Sequence, residues 1–297
     1  MQRGELLIRK SGHFPEKAVP SSRIRFIALF LLLLPALLEA QTKGVVNFGS
    51  LKNLEFIDQF YNGGKGSLGS GPGQNFGIQF TANAQAIISA SKGGSGNFIG
   101  NPGGLPVMFF QTGNNVTMTA TNGVGVALWF YYSALQTGSA TVYAGPNGTG
   151  TILASVTLPP NNSGCNTYKL CVWSTVGVSL SATAGSIRFA GVPDYLAIGP
   201  VHLGSAIPTS IVLTSSQNPS VQGEAVTFTA TVTATGTVPV GSVTFKAAGQ
   251  VVAVVPVSGG VASITLSSLK IGSTTINAKF QGAGFGTVGK SLVQVVN

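Results

Sequence analysis

Few residues in this chain could carry acid, base or ligand chemistry. Beyond residue 40 the carboxylates are Glu55, Asp58, Asp194 and Glu224, and His202 is the one histidine. Glycoside hydrolysis needs two facing carboxyl groups, and the only pair close in sequence is Glu55 and Asp58. These precede the turn Tyr61-Asn62-Gly63-Gly64, where acidic side chains commonly bond backbone groups. His202 has no Ser or Cys partner motif such as G-x-S-x-G and reads as a packed or edge histidine. No catalytic residue is assigned and the chain is read as not an enzyme. The alternative is an extracellular hydrolase acting on polysaccharide through Glu55, Asp58 or Asp194.

The two cysteines, Cys165 and Cys171, share one short segment, NSGCNTYKLCVW. Outside the cytoplasm such a pair can persist as a disulfide, and the expectation is a bridge holding a loop at the rim of a sandwich; two unpaired thiols are the alternative. No third or fourth thiol or imidazole lies near them, so neither a metal nor another cofactor is expected. The remaining candidates for recognition are aromatic. Tyr168 and Trp173 lie in or beside the cysteine loop and Tyr195 precedes a late strand, so these three are the ligand-binding candidates, with partial burial as the alternative. Trp129, Phe130, Tyr131 and Tyr132 form a strand expected to be mainly core. The Gly-rich piece GKGSLGSGPG lacks the strand and helix that a dinucleotide loop requires, and the sequons at Asn115, Asn147 and Asn161 read as turn asparagines.

The elements that must position these residues are strands. Only 8% of the 297 residues are charged, against roughly 25% in typical domains, and the 41 glycines with abundant Thr and Val suit short strands and tight turns better than helices. The net charge of +9 is scattered. From residue 41 onward ten Lys and Arg oppose four acids without a basic run, so nucleic acid is not expected as a partner. Arg23 and Arg25 precede the apolar run Phe26 to Leu38, which ends at Glu39-Ala40. That order predicts a signal peptide over 1–40, cleaved after Ala40, and contact with a membrane only during export; an uncleaved membrane anchor is the alternative, against which the run falls short of the roughly 20 residues a spanning helix needs. A start at Val19 would leave 1–18 untranslated.

From 41 to 203 about eleven short strands between turns such as Gly71-Pro72-Gly73 and Pro146-Asn147-Gly148 predict a jelly-roll-like β-sandwich. Residues 204–210, with Pro208, read as a linker. From 211 to 297 strict alternation, as in Val226-Thr227-Phe228-Thr229-Ala230, predicts a seven-stranded immunoglobulin-like sandwich. Val226, Phe228, Val243, Phe245, Ile264, Ile276 and Phe280 point inward, and Lys246, Asn277 and Lys279 point out. Residues 208–297 are expected to fold alone, and the whole chain is all-β.

The stretch TSIVLTSSQNPSVQGEAVTFTATVTATGTVPVGSVTFKAAGQ, with Gly259-Gly260-Val261-Ala262 after it, resembles the bacterial Ig-like domains of group 3, which occur in tandem on secreted and surface proteins. Where those domains usually carry Gly-Asp, this chain has Gly282-Ala283. Residues 45 to 203, through VVNFGSLKNLEFIDQFYNGG, GSGPGQNFGIQF, VYAGPNGTGTILASVTLP and FAGVPDYLAIGPVHLG, resemble the exported β domain found ahead of PEP-CTERM sorting signals. The resemblance implies a carboxylate pair suited to calcium, but those positions hold Gly49 and Gly199-Pro200, and the chain ends in strand-like Ser291 to Asn297 rather than in a sorting signal. Together these readings imply a secreted or cell-surface protein, non-enzymatic, for binding, adhesion or structure, with an extracellular glycan or a surface protein as partner.

Overall fold

The computed structural model describes residues 41–297; the expected signal peptide lies outside the described residues. Twelve strands form the first sandwich: β1 (Gly44–Val46), β2 (Glu55–Phe56), β3 (Ile78–Phe80), β4 (Gln85–Ile87), β5 (Val107–Phe109) and β6 (Asn115–Val124). After these come β7 (Ala127–Ala134), β8 (Gly138–Tyr143), β9 (Ile152–Leu158), β10 (Ser174–Ser179), β11 (Ala184–Ala190) and β12 (Leu196–Leu203). The larger sheet runs β10-β7-β12-β5-β4-β2, and β1 pairs with the other half of β12; the smaller runs β3-β6-β11-β8-β9. Their inner faces enclose Phe48, Phe130, Phe189, Met108, Met118, Ile57 and Ile78, all essentially without exposure. Burial on this scale contributes roughly 1.5–3 kcal/mol per large apolar side chain.

Seven further strands form the second sandwich: β13 (Thr209–Ser215), β14 (Val226–Ala234), β15 (Ser242–Ala247), β16 (Gln250–Pro256), β17 (Val261–Leu266), β18 (Gly272–Gln281) and β19 (Val288–Val296). One sheet is β13-β14-β17 and the other β16-β15-β18-β19. The alternation in sequence has the phase that the structure shows. Val226, Phe228, Val243, Phe245, Ile276 and Phe280 are fully buried, while Ile264 is half-buried against the same core and Lys246 and Lys279 are exposed. Strand β13 begins at Thr209, so the strandless connection is shorter than the expected linker. Ile207 within it is buried and bridges to Phe285.

The joint between the sandwiches is close-packed. Ala127 at the start of β7 belongs to the core of the second sandwich, and Ser179 Oγ donates to the Ala283 carbonyl at 2.7 Å. Gly177 N–H donates to the Gly236 carbonyl at 3.2 Å. That approach requires glycine on both sides, because a Cβ on Gly177 would stand 2.5 Å from the Thr235 carbonyl oxygen and one on Gly236 would stand 2.4 Å from that of Thr175.

Candidate functional site

Strand alternation gives the larger sheet an outer face as well as an inner one. The strand Trp129 to Tyr132, expected to be mainly core, lies in the largely buried β7 and divides between the two faces. Phe130 and Tyr132 are buried, whereas Trp129 and Tyr131 are half-buried on the outer face. There Trp129 stacks on His202 with ring centroids 3.4 Å apart, and Tyr131 meets Trp129 edge-on at 5.7 Å. Trp129 Nε1 is buried without a hydrogen-bond partner. Burial holds the His202 imidazole below its ordinary pKa, since desolvation disfavours the charged form.

Farther along the same face, two loops build a groove of about 390 Å3. Its floor is Leu54, Ile87 and Phe109, next to Ala197 of β12. One wall, Ser95 to Phe98, is fixed from below: Asn53 Oδ1 accepts from Ile88 N at 3.0 Å and Ser95 N at 3.3 Å, and the buried Ser89 hydroxyl donates to the Phe98 carbonyl. Gly96 must be glycine here, because a Cβ would stand 2.3 Å from the Phe98 ring. The opposite wall is the cysteine loop. Cys165 and Cys171 are bonded, with Cα atoms 5.5 Å apart. The loop docks on the first wall through Ile99 N to Leu170 O at 3.0 Å, Leu170 N to Asn97 O at 3.2 Å and Lys169 N to Asn97 Oδ1 at 2.8 Å. Leu170 and Phe98 join Val107 and Ala197 in a small separate core. Gln111, Asp194 and Tyr195 close the end of the groove.

Of the three candidate rings, one, Tyr195, is among the residues that line the groove. Trp173 is half-buried beneath it, edge-on to Phe98 at 6.0 Å, with Nε1 donating to the Ile99 carbonyl at 3.0 Å. Tyr168, also half-buried, precedes the groove-lining Lys169 without lining the groove itself. Phe98, Phe109, Asn97 and Gln111 were not singled out in the sequence. Phe98 and Asn97 reach the site only because a loop folds back over the sheet, which periodicity does not encode. The alternation of Trp129 and Tyr131 against Phe130 and Tyr132, by contrast, was a usable signal for the outer face.

The carboxylates do not assemble. Glu55 is fully buried and accepts from Lys52 N at 2.7 Å, Leu68 N at 3.0 Å and Ser70 N at 3.0 Å. Burial raises its pKa, but the Ser70 side chain and these backbone donors outweigh that, and the net position is below the ordinary value. It fastens the segment from Lys52 to Ser70 and thereby fixes β2. Asp58 does not line the groove, and Asp194 is the one carboxylate that does. Gly199 and Pro200 sit at the bulge where the pairing of β12 with β7 shifts register. Among the described residues no group of three His, Cys, Asp or Glu side chains could hold a metal ion, and no helix is long and apolar enough to cross a membrane.

Residues 213–297 match the family of bacterial Ig-like domains, group 3, so the second sandwich is Ig-like. No curated protein matches the chain. Among solved structures, it is similar to the fibronectin(III)-like modules of Clostridium thermocellum CbhA, at 15% identity and a TM-score of 0.28, over 62% of this chain and 86% of that one. A carbohydrate binding module of Cellvibrio mixtus lichenase 5A, solved with cellotriose, is 13% identical over 42% of this chain and 88% of that one, with a TM-score of 0.24. Bacteroides uniformis beta-glucuronidase 3 is 9% identical with a TM-score of 0.24, and the likeness spans 63% of this chain but only 27% of the enzyme. At such scores the likeness carries no argument about ligand or activity.

Proposed function

We propose that this is an exported, non-catalytic surface protein whose first sandwich holds a glycan in the groove on its larger sheet, with the Ig-like sandwich serving as spacer or adhesion unit. The observation that carries this reading is the lining itself. Around the buried rings of Phe98 and Phe109, the half-buried Tyr195 ring and exposed Leu54 meet Asn97, Gln111, Lys169 and Asp194, all exposed, in one groove. Sugar rings present apolar faces that stack on aromatics and hydroxyls that pair with amides and charges, and binding sites in general combine an apolar lining with a few placed polar groups. The non-catalytic reading is supported by the carboxylates: Glu55 has spent its oxygens on backbone donors and Asp194 has no second carboxylate in the groove, whereas glycoside hydrolysis needs a pair. Export is supported by the disulfide, which suits an oxidising compartment.

The test is a glycan array probed with the purified full-length protein and with Tyr195→Ala. Binding by the parent and its loss in the variant, with unchanged thermal unfolding, would support the reading. A blank array from folded parent protein would leave a structural role for the first sandwich.

A further inference from the structure

The Ig-like sandwich carries a surface that the groove reading does not use. On the outer face of its four-stranded sheet, Thr244 of β15 stands opposite Lys279 of β18, and Lys246 opposite Asn277. Asn277 in turn pairs with Ser291 of β19, and Lys279 with Gly289. The register therefore sets Lys246 and Lys279 as diagonal neighbours on one face, both exposed. Like charges so placed on a sheet repel. Residues 204–297 contain four lysines and a single carboxylate side chain, Glu224, which lies before β14 in the other sheet and accepts from Val221 N at 3.1 Å. The repulsion is therefore not relieved from within the sandwich. Thr244, Asn277, Gln281, Thr287 and Ser291 line a shallow trough of about 750 Å3 with Lys246 and Lys279, whereas Lys290 stands opposite the buried Ala278 and so starts from the other face.

We propose that this face binds an acidic polysaccharide, its carboxylates on Lys246 and Lys279 and its hydroxyls on the amides and hydroxyls between them. Charge complementarity selects an anion. The lining contains no aromatic ring, so it lacks the stacking platform that single-stranded nucleic acid uses. Its two lysines are also fewer than the roughly 6–10 phosphate contacts of a duplex binder. Hydrophilic amides and hydroxyls between the cations match a chain of hydroxylated rings rather than a lipid surface.

The probe is polygalacturonate, with amylose as the neutral control, a DNA duplex and anionic lipid vesicles as the other polyanions, and the full-length protein as the binder. Binding to polygalacturonate at low salt, weakened as salt screens the exposed charges, and about tenfold weaker in Lys246→Gln/Lys279→Gln, is expected. Lys270→Gln, which removes the same charge elsewhere, and Tyr195→Ala, which alters the groove, should each leave this binding unchanged. The Lys246→Arg/Lys279→Arg protein should retain it and guards against a folding defect in the glutamine variant. No binding to polygalacturonate, equal binding to amylose, an equal loss in Lys270→Gln, or preference for the duplex or vesicles would overturn the proposal. Loss in Tyr195→Ala alone would assign acidic polysaccharide to the groove instead.

Discussion

Trp129 and His202 stand directly opposite each other in the β7–β12 ladder and stack with their planes 8° from parallel. Because burial lowers the His202 pKa in the folded protein, the unfolded chain takes up this proton first as pH falls. The contribution to stability is full above about pH 6.5 and declines from there down to the folded pKa. His202→Gln is expected to flatten that decline in urea unfolding followed across this range. In Trp173→Phe, which leaves Trp129 as the remaining tryptophan, fluorescence should be quenched with a midpoint below that of free histidine. A midpoint at or above it would contradict the buried stack.

Mass spectrometry of the exported protein is expected to find Cys165 and Cys171 blocked to alkylation until a reductant is added. Replacing both by Ser should cost about 2 kcal/mol, the chain-entropy value for so short a loop. Because Lys169 and Leu170 of that loop form a groove wall, ligand binding should fall as well. Undiminished binding would place recognition elsewhere.

Glu55→Gln leaves one acceptor oxygen where the carboxylate serves three backbone donors. A loss of about 1–3 kcal/mol is expected, the range for a buried donor left unsatisfied. Since the folded Glu55 pKa is depressed, its contribution is present above its unfolded pKa and disappears as pH falls through the folded one. The difference in stability between parent and variant should therefore shrink in acid. A difference that grows in acid would refute this sign.

Phe228→Ala in the Ig-like core should cost roughly 3–5 kcal/mol, since that ring is fully buried. Chemical denaturation measures it, and a change below about 1 kcal/mol would mean that the strand phase is wrong.

Gly177→Val is expected to force the joint apart, because its Cβ would stand 2.5 Å from the Thr235 carbonyl oxygen. Overpacking of this kind costs about 1–3 kcal/mol. Small-angle scattering should show a more extended particle with both sandwiches still folded. An unchanged scattering profile would show that the contact does not hold the two together.

The second sandwich was the more legible in sequence. Its strands are long, half-buried and strictly alternating, so Val226, Phe228, Val243 and Phe245 announced their side of the sheet. The first sandwich was legible as short strands between glycine turns, but the two-residue strand at Glu55–Phe56 was invisible, because so short a strand is defined by its partner rather than by its own pattern. The groove was the least legible part. Asn97 and Lys169 are 72 residues apart and meet through loop hydrogen bonds that no local periodicity records. The strand of Trp129 and Tyr131 was legible as mainly core, as β7 is, but composition did not tell which of its rings face outward, because apolar side chains fill both faces.

The position of Ala127 bears on cooperativity. A residue of β7 completes the core of the Ig-like sandwich, and Ile207, just outside β13, is buried in that core beside Phe285. A fragment cut at residue 208 therefore loses two apolar side chains from its interior, Ile207 with the cut and Ala127 with the first sandwich. Melting of either sandwich uncovers part of the other, so heat should unfold the pair in one shared transition rather than as two independent modules strung on a linker.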